Sequence, residues 1–109
     1  MAYNRRQAQR IRMALSQFPE IQEKEMFGGV AFLVQGNMAC GIHGEELIVR
    51  VGKESYSEAL RQPYTHPFDL TGKPMSGWIM VALNGYLAED DLQRWIDQGL
   101  EFARALPGK

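Results

Sequence analysis

Few side chains in this sequence could carry out chemistry on their own. There is one cysteine, Cys40, and there are two histidines, His43 and His66. Cys40 and His43 are spaced C-x-x-H, the spacing of two ligands of a zinc site. Two residues cannot close a tetrahedron, and only His66 remains. On a strand, positions 40 and 43 also point to opposite faces. The expected roles are a buried small thiol and an imidazole at a strand end. Cys40 with His66 would be a nucleophile and base, since such partners meet in space and not in sequence. Cys40 lies inside an apolar run, however, away from a helix N-terminus or a base that would activate it.

The glycine pairs do not form phosphate cradles. Gly28-Gly29 lacks the spacing of a dinucleotide or P-loop motif and leads into a strand. It fits a bulge or a close backbone approach. Gly72-Lys73 is followed by Pro74, which removes an N–H that a cradle would use. The adjacent Asp90 and Asp91 do not share a helix face, and Glu45-Glu46 sit in a turn. No pair of carboxylates is set up for general acid–base work. Arg5, Arg6, Arg10 and Arg12 form a basic run among the first twelve residues, with no acid between them. Such a run is usually a solvated helix face. The alternative is weak, salt-dependent binding of nucleic acid.

These residues need elements to position them. Ala8, Ile11, Ala14, Leu15 and Phe18 recur at helical spacing, and Pro19 ends that helix. Met26–Val34, Met38–His43 and Leu47–Val51 read as three strands joined by the turns Gln35-Gly36-Asn37 and Gly44-Glu45-Glu46. Links this short make them an antiparallel meander. Both faces of the strands carry apolar groups, so the second face needs a cover, from a helix or from another subunit. Lys53–Gln62 reads as a short helix that Pro63 stops. His66–Leu70 reads at most as an edge strand, Gly77–Leu83 as a strand, and Asn84-Gly85 as a turn. Leu92, Trp95, Ile96, Leu100 and Ala103 mark a last helix from Ala88 to Leu106, with Glu89, Asp90 and Asp91 at its positive end. No βαβ unit appears, so the class is α+β, with helices packed on an antiparallel sheet. The aromatic residues Phe27, Phe32, Trp78, Trp95 and Phe102 hold periodic apolar positions, which assigns them to the core and not to base stacking.

Composition agrees with one globular domain over residues 1–109. The chain has 109 residues and 12.4 kDa, 45% hydrophobic and 23% charged, with net charge −1. That excludes a histone-like basic protein and an acidic tail. With one cysteine no intrachain disulfide forms, as in a reducing compartment. No apolar run reaches the roughly 20 residues of a membrane span, and the polar N-terminus lacks a signal-peptide core. The expected location is the cytoplasm.

Several short motifs occur together: Met26-Phe27-Gly28-Gly29 opening a strand, Gly36-Asn37-Met38, Leu47-x-Val49-Arg50-Val51, Pro74-Met75-x-Gly77, and Leu92-x-x-Trp95. From about Arg10 to Lys109 the chain resembles the N-terminal domain of the TfoX/Sxy family. The resemblance implies an α-β(3)-α-β(2)-α fold, similar to YjbR-like and secretion-chaperone-like domains. It implies no enzyme activity and no cofactor or metal. It also implies a homodimer and a protein partner in the transcriptional regulation of bacterial competence. Two-domain members carry a further helical domain, whereas this chain is expected to act as a single domain. Met26, Phe27, Gly28, Gly29, Pro74, Met75, Gly77 and Trp95 are the family motif residues, expected to serve the fold.

Overall fold

A computed structural model describes residues 3–26, 28–69, 72 and 74–107. The first helix, α1 (Arg5–Ala14), begins at Asn4. The Asn4 side chain accepts hydrogen bonds from the Arg6 and Gln7 amides at 3.0 and 3.2 Å, which satisfies two N–H groups that the helix leaves open. The helix ends at Ala14, short of Phe18 and Pro19, where the sequence placed its end. Just beyond it the Ser16 hydroxyl donates to the Met13 carbonyl at 2.8 Å. A hydroxyl that bonds back to its own turn competes with the helical ladder. Leu15 stays buried and Phe18 half-buried, so the apolar stripe still packs beyond the helix.

Among the described residues, six strands form one antiparallel sheet in the order β1-β2-β3-β4-β6-β5. They are β1 (Ile21–Met26), β2 (Gly29–Val34), β3 (Asn37–His43), β4 (Glu46–Arg50), β5 (Thr65–Pro67) and β6 (Trp78–Val81). The α+β class and the antiparallel sheet are as expected from the sequence. The sheet has one strand more than the expected three-plus-two. The stretch read as one strand from Met26 splits here, with Met26 ending β1 and Gly29 opening β2 opposite it. Gly28 takes φ +78 between them, a left-handed conformation open to glycine at little cost. Gly28 thus serves a tight turn. Phe27 lies outside the described residues.

β3 begins one residue earlier than expected and β4 is shifted by one, while the later elements are shorter than the sequence suggests. The second helix, α2, covers only Tyr56–Leu60, and β5 only Thr65–Pro67. Leu70, the expected end of that edge strand, is outside the described residues. β6 stops at Val81, and Leu83–Gly85 forms a 3-10 turn. The last helix, α3, runs Glu89–Arg104.

Helices α1 and α3 cover one face of the sheet. Ile11, Phe32, Cys40, Ile42, Leu47, Val49, Ile79, Trp95 and Ile96 make the main core there. Each large aliphatic or aromatic side chain among them contributes about 1.5–3 kcal/mol when fully buried. The register between β2 and β3 shifts so that Ala39 has no partner of its own. This bulge meets α3 at Gly99, where an added Cβ would collide with the Ala39 carbonyl. Ala31, Met38, Ile48, Phe68 and Met80 form a second cluster on the opposite face. Phe68, from the segment after β5, therefore helps to close the face for which the sequence asked a helix or another subunit. Leu33 and Trp78, beside that cluster, are only partly buried.

Candidate functional site

The sheet separates the groups that could have made a reaction centre. Cys40 pairs with Val49, in the main core, and is fully buried. Burial pushes its thiol up to about 12, so it stays protonated at neutral pH. His43 follows three positions later on the other face, as expected. His66 pairs across the ladder with Met80, a member of the second cluster. It therefore lies on the face away from Cys40, and its Nε2 meets Glu46 at 2.7 Å. The structure does not bring Cys40 and His66 together. Among the described residues no group of three or more His, Cys, Asp or Glu could hold a metal ion.

The arginine face of α1 is also divided. Arg10 bonds to Glu89 and to the Tyr86 and Leu87 carbonyls at 3.0–3.3 Å. Arg12 pairs with Glu23 and bonds to Gln9. Arg5 and Arg6 are exposed at the start of the helix. Two of the four arginines are therefore engaged within the chain, where they pin α1 to the segment before α3 and to β1.

The motif residues fall into three places. Gly28 and Gly29 shape the β1–β2 turn, with Met26 at its edge and partly exposed. Trp95 is buried between α3 and the sheet. Pro74 and Met75 are exposed. They lead to Gly77, whose carbonyl accepts from the Val51 and Gly52 amides at 2.8 and 3.0 Å. This pair of bonds ties the entrance of β6 to the exit of β4.

A recess of about 530 Å³ opens at that tie. Its walls come from three segments: Arg50–Ser55 at and beyond the end of β4, Ser76–Trp78 at the start of β6, and Phe102 near the end of α3. Two glycines shape it. Gly52 has φ +85, and a Cβ there would overlap the Phe102 ring. Gly77 has φ +91, and a Cβ there would lie 3.2 Å from the Gly52 carbonyl carbon. Both allow a close approach that a larger residue would prevent.

Arg50 sets the electrostatics of the recess. Its guanidinium carbon lies 4.8 Å from the Trp78 ring centroid and 5.3 Å from that of Phe102, within cation–π range. Partial burial lowers its pKa, and an arginine still remains a cation at neutral pH. Arg10, Arg12, Arg94 and Arg104 each pair with a carboxylate. Arg50, although half-buried, has no carboxylate or carbonyl partner among the described residues. The rings attract its charge but offer no lone pairs to its five N–H donors. Lys53 adds a second cation to the lining, and among the described residues Glu54 is the one carboxylate there. A second recess, of about 300 Å³ between α1 and β1, differs on this point, because Glu23 already pairs with its Arg12. Arg50 does not stand out as a site residue in the sequence. The available signal is Arg50 just before Val51-Gly52, together with Gly77 just before Trp78.

No helix among the described residues is long and apolar enough to cross a membrane. A family model described as the TfoX N-terminal domain matches residues 13–103. That span contains every residue lining the Arg50 recess. No curated protein and no solved structure gives a match.

Proposed function

The chain belongs to the TfoX N-terminal domain family, and on that premise we propose that it is a regulatory binding module that works by taking up another molecule in the recess beside Arg50. In this reading it catalyses no reaction. The observation that carries it is the half-buried Arg50, whose donors have no protein acceptor among the described residues, in a recess of ligand size. The protonated, enclosed Cys40 supports the same reading, since a thiol acts as a nucleophile only as thiolate. Regulation through a protein partner in transcription is the output that the family resemblance implies.

The test is complementation in the source cell. Transcript levels are compared between a deletion strain, the strain restored with the natural chain, and the strain restored with Ser76→Trp. Ser76 is exposed at the mouth of the recess, so an indole there obstructs it with little cost to the core. The expected result is that the natural chain restores the transcript profile and Ser76→Trp, present at equal level, does not. Full restoration by Ser76→Trp would remove the recess from the function.

A further inference from the structure

We infer that the recess beside Arg50 takes a small organic anion, with a carboxylate or phosphate head on Arg50 and an apolar body against Val51, Trp78 and Phe102. This rests on the reading of the recess as the working surface and names the chemistry of its ligand.

Three features lead to this class. The first is the donor set. A guanidinium presents its N–H groups as a fork that matches two oxygens of one carboxylate or phosphate. Trp78 and Phe102 hold Arg50 near one position, so little side-chain freedom is left to lose on binding. The second is charge. Arg50 and Lys53 against Glu54 leave one net positive charge on the lining. An anion gains from that balance and a cation does not. The third is size and lining. About 530 Å³ lies in the usual range for small-molecule sites, which are mostly apolar with a few fixed polar groups. Because the walls converge from three segments, the site is recessed, which suits a small molecule better than an extended polymer.

Isothermal titration calorimetry on the full chain tests this with defined probes. They are 1-naphthoate, 1-naphthyl phosphate, the neutral 1-naphthalenemethanol, and inorganic phosphate. The expected result is saturable one-to-one binding of at least one naphthyl anion. The neutral alcohol and inorganic phosphate should each bind at least tenfold more weakly. Preference between the two naphthyl anions identifies the head group, and either preference supports the inference. Arg50→Gln should weaken the anion at least tenfold in a chain that remains folded at the assay temperature, while Arg61→Gln, outside the recess, should bind as the natural chain does. If Arg50→Gln does not fold, Lys53→Gln carries the test, with an expected loss of at least threefold.

The inference is overturned if neither naphthyl anion binds at millimolar concentration, if the alcohol binds as tightly as the anions, or if the arginine variant binds them undiminished. It fails separately from the proposed function. Loss of the transcript response in Ser76→Trp without anion binding keeps the recess and discards this ligand class. Anion binding with full restoration by Ser76→Trp does the reverse.

Discussion

Arg50 and Trp78 are cross-strand partners on β4 and β6, and their side chains meet with the guanidinium carbon 4.8 Å from the indole centroid. The pairing does two things at once. It places a cation at the end of the ladder, and it holds that cation without using its hydrogen-bond donors. A double-mutant cycle over Arg50→Gln and Trp78→Leu should give a coupling of about 0.5–1 kcal/mol, the range for a partly exposed cation–π pair. Urea unfolding of the four proteins measures it. Strict additivity would mean that the ring does not hold the guanidinium.

The shape of the recess depends on Gly52. Alanine at a left-handed position costs about 1–2 kcal/mol, and overpacking adds about 1–3 kcal/mol. Gly52→Ala should therefore lose about 2–5 kcal/mol, because its Cβ meets Phe102. Gly44 also has positive φ, at +61, but has open space around it. Gly44→Ala should lose only the backbone part, about 1–2 kcal/mol. Equal losses at the two sites would show that Phe102 does not press on Gly52.

Cys40 supplies a pH dependence. Its folded value, about 12, lies above the roughly 8.5 of a free thiol. Below the unfolded value the thiol is protonated in both states and does not affect stability with pH. Above it the unfolded chain loses the proton and the folded chain keeps it. Stability should then fall with rising pH, by about tenfold in the folding equilibrium per pH unit for this group. Tyr86, raised by burial, adds to the fall above about pH 10, where an ordinary tyrosine ionises. Between about pH 8.5 and 10, Cys40→Ala should flatten the slope measured by urea unfolding. An unchanged slope would contradict the burial of the thiol. At neutral pH the thiol should also react with a disulfide reagent only as fast as the chain opens.

The edge strand β1 carries its own protection against pairing with a second copy. In a two-fold antiparallel pair, residues directly opposite must share a face. Registers centred on β1 then set Glu23 against Glu23 or Lys24 against Lys24. Like charges directly opposed are destabilising, and charge on an exposed edge is a common guard against such pairing. The double variant Glu23→Thr/Lys24→Thr should self-associate more strongly than the natural chain in sedimentation experiments. No increase would show that charge does not guard this edge.

The parts of the fold legible in the sequence are those that bury a periodic face. Leu92, Trp95, Ile96 and Leu100 mark α3 because they all meet the sheet. The run Val30–Val34 marks β2 for the same reason. β1 is not legible because Gln22, Glu23, Lys24, Glu25 and Met26 are all exposed, so an edge strand there leaves no alternating apolar pattern. The Arg50 recess is not legible either. It exists only because residues 50–55, 76–78 and 102 come together, and spacing along a chain does not report a meeting of three distant segments. The Pro74-Met75-x-Gly77 motif is visible in the sequence, and its meaning emerges from the bonds that tie Gly77 to Val51 and Gly52.

The most direct test of the Arg50 recess is amide shift mapping by NMR on the ¹⁵N-labelled chain as 1-naphthyl phosphate or 1-naphthoate is added. Saturable shifts should concentrate at the amides of Gly52, Lys53, Gly77 and Trp78, and should be lost in Arg50→Gln. Shifts centred instead on Arg5 and Arg6 of α1, or none near Gly52 and Gly77, would contradict this.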